Sequence, residues 1–316
     1  MTISRRHALA GLIGVVPMAA AAESAYAIKP VAVADGIWMI HGADEPMLFA
    51  NGGAIANIAI IATSAGTVLV DAGPSIRYGR LLKTVAEELT RQRVVRVYVT
   101  HLHPDHGMGI TAFDPAIVAA LPGTIADMKR DGSGFSDALY RLLGDWMRGT
   151  DVVLPGRSID QAAEDFGGCR LRLLALAGHS AADLALLDER TGTLIAGDLL
   201  FLDRAPSTPT ADLERWRESL SVLAALRHKA AIPGHGPFDP TGRRAIDQTR
   251  DWLDWLDMTL RQAASSGLDM VEVGDLPIPP RFAGMAAARY ELQRSVSHLY
   301  PALEAALLPR VDVEGE

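Results

Sequence analysis

The sequence predicts an α/β sandwich, and three observations point there. Extended, β-branched stretches flank an amphipathic helical stretch early in the chain, the strand–helix–strand order that builds layered α/β folds. Several apolar strands end abruptly at His, Asp or Gly, the junction at which such folds place chemistry. Of the 316 residues 49% are hydrophobic and 22% charged, with a mean hydropathy of +0.14, which supplies a sizeable core and excludes disorder or collagen-like repetition. The length allows one domain with additions or two, and no linker divides the chain.

The first 27 residues read as an export signal. Arg5 and Arg6 precede an uncharged run from Ala8 to Ala22, and Ala25-Tyr26-Ala27 follows as a small-x-small cleavage site. The arginine pair resembles the twin-arginine export type and predicts a periplasmic protein. The apolar run is shorter than the roughly 20 residues a bilayer requires. No membrane span is expected in the mature chain.

Strands are expected over Val31–Ile40, Ala54–Ala62 and Thr67–Val70, then a helix over Arg77–Gln92 carried by Leu81, Leu82, Val85, Ala86 and Leu89. Val94–Val99 is a β-branched strand running straight into His101. Residues 131–160 hold five glycines around a short helical piece, Phe135 to Met147, and read as an excursion from the sheet. Strands resume at Arg170–Leu176, Asp183–Leu187 and Thr193–Ala196. Helices follow at Ala211–Leu226, Arg243–Ala264 and Gly284–Leu307. A net charge of −8 with no Lys/Arg tract argues against a nucleic-acid partner. The single cysteine, Cys169, excludes an intramolecular disulfide and is most simply a small apolar filler.

His101-Leu102-His103-Pro104-Asp105-His106 carries the chemistry. Three imidazoles and a carboxylate within six residues, directly after a strand, can turn several side chains toward one point, and imidazole nitrogen and carboxylate oxygen are ligands for divalent metals. Pro104 bends the chain so that the two halves of the box can face different ions. His179, Asp198 and His235 each follow an apolar strand in a Gly-containing loop. A lone histidine there is more often a hydrogen-bonded loop residue, but the six-residue box creates a ligand deficit that these three can fill.

Here the sequence resembles the metallo-β-lactamase superfamily of metal-dependent hydrolases, over about Val31 to Asp239. The motifs are Thr100-His101-x-His103-x-Asp105-His106, Gly178-His179-Ser180, Gly197-Asp198 and Gly234-His235-Gly236. The resemblance implies a four-layer αββα sandwich with a metal centre at one edge, a catalytic domain over 28–239 and C-terminal helices over 240–316 packed on it. It implies that His101, His103 and His179 hold one ion, that Asp105, His106 and His235 hold a second, and that Asp198 bridges them. Zinc suits that set, with iron or manganese allowed by ligand type. An aspartate at 198, where true lactamases of the superfamily tend to carry cysteine or serine, points to a general hydrolase. His103, where the oxygen-reducing di-iron branch carries glutamate, points to hydrolysis.

A narrower resemblance, to the exported quinoprotein relay system zinc metallohydrolases, rests on Gly197–Pro209, Gln248–Leu256 and Ser297–Pro301. It implies a functional link to a dehydrogenase using pyrroloquinoline quinone (PQQ). The mechanism expected is attack by a metal-bridging hydroxide on an ester, thioester, lactone or similar bond of a small molecule, with Asp105 both ligand and orienter of the nucleophile. The alternative is a non-hydrolytic accessory protein that binds a metal or cofactor at the same centre.

Around the ligands, Asp71 is a candidate hydrogen-bond partner of a ligand histidine or an ordinary turn residue. His41 lines the pocket or belongs to a polar loop. Arg204 receives an anionic substrate group or forms a salt bridge. Tyr140 and Trp146 form a lid over the site or bury the excursion's own small core.

Overall fold

The computed structural model describes residues 25–307. A first hairpin pairs β1 (Pro30–Ala34) with β2 (Ile37–Ile40), and β3 (Ile58–Thr63) and β4 (Gly66–Val70) extend it antiparallel. Helix α1 (Ile76–Thr90), capped by the Ser75 hydroxyl, then crosses over so that β5 (Val94–Tyr98) runs parallel to β4. The short α2 (Pro104–Gly107) carries the end of the histidine box. β6 (Val118–Ala120), helix α3 (Pro122–Leu143) and β7 (Arg157–Ser158) complete a seven-stranded sheet ordered β1 to β7.

The second sheet has five strands: β8 (Ala163–Asp165), β9 (Arg170–Leu176), β10 (Asp183–Asp188), β11 (Thr193–Ile195) and β12 (Ala230–Ile232). Helix α4 (Leu213–Ala225) links β11 to β12, which pair in parallel. After β12 come α5 (Arg244–Ser265), α6 (Met270–Gly274) and α7 (Ala288–Leu307).

The two-residue period of the strands makes four layers. In β3, Ala59 and Ile61 face the second sheet while Ile58 and Ile60 join Tyr78, Leu82 and Ala86 of α1. In β10, Leu184 and Leu186 face the first sheet while Ala185 and Leu187 join Trp216 of α4 and Trp252 of α5. Each sheet is therefore covered by helices on its outer face, the αββα order. Leu292, Val296 and Tyr300 of α7 belong to the same apolar cluster as β10 and β11, so the C-terminal helices pack on the second sheet.

Three local expectations are corrected. Residues 31–40 are two strands, not one, because Asp35-Gly36 makes a two-residue hairpin turn with Ala34 opposite Ile37. The strand expected from Ala54 begins only at Ile58. The Gly-rich segment is not an excursion with a short helix over 135–147: α3 starts at Pro122 and runs through Gly132 and Gly134, and Arg157–Ser158 rejoins the first sheet beside β6. At Gly132 packing overrides propensity, since a Cβ there would sit 2.7 Å from Val152 Cγ1.

Most of the expected signal, residues 1–24, lies outside the described residues. Tyr26, inside the expected cleavage site, is packed into the fold. Its hydroxyl donates to Gly52 O at 2.8 Å and lies 3.1 Å from Ser75 Oγ, and its ring contacts those of Tyr78 and Trp146. No helix among the described residues is long and apolar enough to cross a membrane.

Trp252 on α5 is fully buried and edge-packed on Trp255 and Phe282. Trp252→Ala is expected to cost about 3–5 kcal/mol in one cooperative unfolding transition read by denaturant titration. A separate early transition would show instead that the C-terminal helices unfold as their own unit.

Candidate metal centre

All the candidate ligands hang from strand ends at one edge of the sandwich. His101 follows β5, His179 follows β9, Asp198 follows β11 and His235 follows β12. The edge is stitched across the sheets by Leu184 N to Thr100 O at 2.8 Å and Asn57 N to Gly234 O at 2.7 Å. Gly234 lies where the loop passes the carboxylate: a Cβ there would meet Asp198 Oδ1 at 2.0 Å.

The seven side chains converge in two groups, His101, His103, His179 and Asp198, and Asp105, His106 and His235, each with ligand atoms within 4.8 Å of one another. Asp198 belongs to both by distance. Its Oδ2 lies 3.2 Å from His179 Nε2, 3.8 Å from His101 Nε2 and 3.3 Å from His235 Nε2, and its Oδ1 lies 3.0 Å from His106 Nε2.

Hydrogen bonds on the outer side of the rings set four tautomers. His106 Nδ1 donates to Asp71 Oδ2 at 2.7 Å, and His235 Nδ1 donates to Ile55 O at 2.9 Å. The Thr100 hydroxyl donates to Asp71, so it accepts from His101 Nδ1 at 3.0 Å. The Thr210 hydroxyl donates to His179 O and so accepts from His103 Nε2 at 3.2 Å. Each of these rings turns a bare lone pair inward, Nε2 for three and Nδ1 for His103.

The inward nitrogens crowd. His103 Nδ1 lies 3.0 Å from His101 Nε2 and 2.8 Å from His179 Nε2, while His106 Nε2 and Asp198 Oδ1 are buried without a hydrogen-bond partner. Converging lone pairs and orphaned buried acceptors are the signature of cation ligands, and histidine nitrogen with carboxylate oxygen is a donor set for a divalent metal. The residues fit such ions.

Electrostatics agree. Burial holds His101 well below the usual imidazole range, His103 at about 4 and His179 at about 3, so all three are neutral ligands. Burial also works against a charge on His106 and His235, yet Asp198 outweighs it, with help from Asp71 and Asp105 at His106, and both imidazoles are raised. Burial works against ionising Asp105 and Asp198 as well, but the neighbouring histidines hold both carboxyls well below their ordinary range. Anionic carboxylates buried here need positive charge beside them, which the His106 and His235 imidazoles supply when protonated and bound cations supply when the rings act as ligands.

The centre opens into a cleft of about 250 Å³, bordered by His103, Asp105, Asp198 and His235. Arg204 is brought to this cleft, only 2% exposed and paired with Glu291 at 3.2 Å. Asp71 sits behind His106; its φ of +67° places a non-glycine residue in the left-handed region, held there by its bonds to Thr100 and His106.

His41 is not brought to the cleft: its ring pairs with Asp44 at 3.0 Å beside a separate hollow near Tyr26. Tyr140 and Trp146 do not border the cleft either. Tyr140 donates to Thr150 O, and Trp146 is buried with Met108, Leu139, Leu143 and Met147 in a small satellite core. An adjoining stripe of α3 borders the cleft instead, through Phe135, Ala138, Leu139 and Leu142, with Leu139 shared between the cleft and the satellite core.

Several supporting residues escaped sequence reasoning. Asn57 clamps the His235 loop, donating to Pro233 O at 2.9 Å and Gly236 O at 2.7 Å. Phe201 stacks on His235 with centroids 5.2 Å apart and planes within 10°. Asp183 accepts from Ser180 N and Oγ and holds the His179 loop, its carboxyl pushed up by burial to about 7. Asn57 and Asp183 begin or precede strands and look like ordinary polar punctuation; only spatial proximity identifies them.

The family model described as "Metallo-beta-lactamase superfamily" matches residues 51–235. A curated relative, "Beta-lactamase-like protein 2 homolog" of Caenorhabditis elegans, is 28% identical over 183 residues, 57% of this chain and 56% of that one. "Atrochrysone carboxyl ACP thioesterase" of Aspergillus fumigatus is 24% identical over 198 residues, 62% of this chain and 55% of that one. The matches thus span about half the length of these relatives. Among solved structures, a metallo-beta-lactamase from Pontibacter korlensis superposes with a TM-score of 0.58 at 18% identity, covering 72% of this chain and 99% of its own. That likeness shows the fold.

Asp71→Asn is expected to weaken metal binding about 10–100-fold in chelator competition with the circular dichroism spectrum unchanged, because His106 loses its anionic orienting partner. Gly234→Ala is expected to weaken it at least as much, since the added methyl displaces Asp198. Unaltered affinity in both variants would contradict the geometry.

Proposed function

We propose, since the chain belongs to the metallo-β-lactamase superfamily, that it is a binuclear metal-dependent hydrolase cleaving an ester, thioester, lactone or similar carbonyl bond of a small molecule. One observation carries the reading: Asp198 stands within 3.8 Å of an imidazole nitrogen from each of four different histidines, with both of its oxygens engaged. His101, His103 and His179 would hold one ion and Asp105, His106 and His235 the other, with Asp198 shared; zinc suits the set best. The relative named as an acyl carrier protein thioesterase supports a carbonyl substrate. With aspartate rather than cysteine or serine at 198, β-lactam cleavage is not the reading we favour.

Bound divalent ions supply an activated water and Lewis-acid polarisation at neutral pH. The chain's own part is to orient and to hold protons. Asp105 borders the cleft and stays ionised, so its carboxylate can accept a hydrogen bond from the incoming water and set its direction. Asp71, Ile55, Thr100 and Thr210 keep their ring protons on the outer side, so the inner nitrogens remain ligands throughout turnover. The apolar face of α3 limits water at the cleft.

The link to a quinoprotein system remains a proposal, carried by the sequence resemblance over 197–209, 248–256 and 297–301. Two of these segments are joined by the Thr249 hydroxyl donating to Phe201 O and by Gln248 accepting from Asp203 N, which supports treating them as one unit. Export is likewise proposed from Arg5, Arg6 and the uncharged run. Because Tyr26 is hydrogen-bonded into the fold, we place the cut ahead of it instead of after Ala27.

Asp105→Ala is expected to lower kcat at least about a hundredfold across an ester, thioester and lactone panel, while metal analysis still finds an ion at the His101–His103–His179 group. Full activity in that variant would overturn the assignment. Amino-terminal sequencing of protein from a periplasmic extract should find Tyr26 retained; a start at Ile28 would place the cut where the fold argues against it.

A further inference from the structure

Resting on the hydrolytic reading of the same cleft, we infer that the substrate is an amphipathic monoanion, an apolar chain carrying one carboxylate, and that Arg294 on α7 receives that carboxylate. The apolar part is read from α3. Phe135, Ala138, Leu139 and Leu142 recur at i, i+3, i+4 and i+7, so one stripe of the helix borders the cleft, joined by Met47. Leu142 on this stripe is 45% exposed, an apolar surface that an apolar substrate chain would cover.

The charged part is read from Arg204, Glu291, Arg294 and Ser207, all bordering the same cleft as His103 and Asp105. Arg204 is enclosed: its Nη1 donates to Ala205 O at 3.1 Å and its Nη2 to Glu291 Oε1 at 3.2 Å, while its Nε is buried without a partner. Arg294 is not enclosed. Its Nη1 donates to Ser207 Oγ at 2.9 Å and lies 3.5 Å from Glu291 Oε2, and its side chain is 38% exposed. Two guanidiniums against one carboxylate leave a single positive charge, which a monoanion completes, whereas Glu291 would repel the second charge of a phosphate monoester. Arg294 lies outside residues 51–235, so membership of the superfamily does not by itself supply it.

The test is calorimetric binding of octanoate, octanamide and octyl phosphate to the metal-loaded full-length protein, with hydrolysis of thioesters bearing a neutral, carboxylate or trimethylammonium group measured alongside. Octanoate is expected to bind about tenfold more tightly than octanamide, and more tightly than octyl phosphate. Arg294→Gln should erase the octanoate advantage, Arg294→Glu should shift thioester preference toward the cationic substrate, and Phe135→Ala should weaken octanoate and octanamide alike. Arg261→Gln, at a solvent-exposed ion pair on α5, controls for loss of a positive charge elsewhere. Octanoate affinity that survives Arg294→Gln would mean the carboxylate sits elsewhere and would overturn the inference, as would equal binding of octanoate and octanamide or tighter binding of octyl phosphate. Should no ester, thioester or lactone be cleaved while the Arg294-dependent octanoate preference persists, the hydrolytic reading fails and the ligand class stands.

Discussion

The structure depends on one buried carboxylate. Asp198 reaches imidazole nitrogens from β5, β9 and β12 strand ends and from α2, so it joins the edges of both sheets through a single residue. A carboxylate and four imidazoles, three of them turning a bare nitrogen inward, are not a stable arrangement by themselves at such distances. Their burial is costly and their lone pairs repel, so the constellation makes physical sense only around positive charge. Gly234 exists as glycine because the chain must pass this carboxylate within a distance no side chain allows.

Around that centre, the fold spends ordinary polar groups on orientation. A backbone carbonyl, a strained aspartate and two threonine hydroxyls each hold the outer nitrogen of one ring. None of these groups reaches the centre. Through them the scaffold decides which nitrogen faces inward, and the same groups recur in tying strand ends together. Asp71, for example, accepts from the Thr100 backbone as well as from His106. Local fold stability and ligand geometry are therefore one hydrogen-bond network, not two.

The helices beyond β12 do more than cover the second sheet. Trp252, Leu256, Leu292 and Tyr300 bury its outer face, and on the cleft side α7 supplies Tyr290, Glu291 and Arg294. The cleft is consequently shared between the region common to the superfamily and an element outside the matched span. In the proposed reading the metal-facing wall carries the chemistry and the α3 and α7 walls carry the selectivity, an arrangement in which the second can vary without disturbing the first.

Short-range pattern was enough to reveal the histidine box, the strand ends bearing His179, Asp198 and His235, and the boundaries of β9, α4 and α5 to within a residue or two. Each is written in contiguous residues: a β-branched run, a Gly/Pro loop, a helical repeat. Contacts between distant segments were needed elsewhere. Gly132 looks like a helix breaker until Val152 is seen against it. Tyr140 and Trp146 look like lid residues until both are seen packed away from the cleft, with Phe135 of α3 bordering it instead. His41 is as good a histidine as the others by composition, yet its strand end lies beside a different hollow. Arg294 stands 59 residues after His235 on an unremarkable helix and reaches the cleft only because packing on the second sheet carries that helix there. Ligand identity is a property of residue chemistry and can be read along the chain. The walls of the cleft are set by which helix face is buried, and burial is settled only when all the layers are in place.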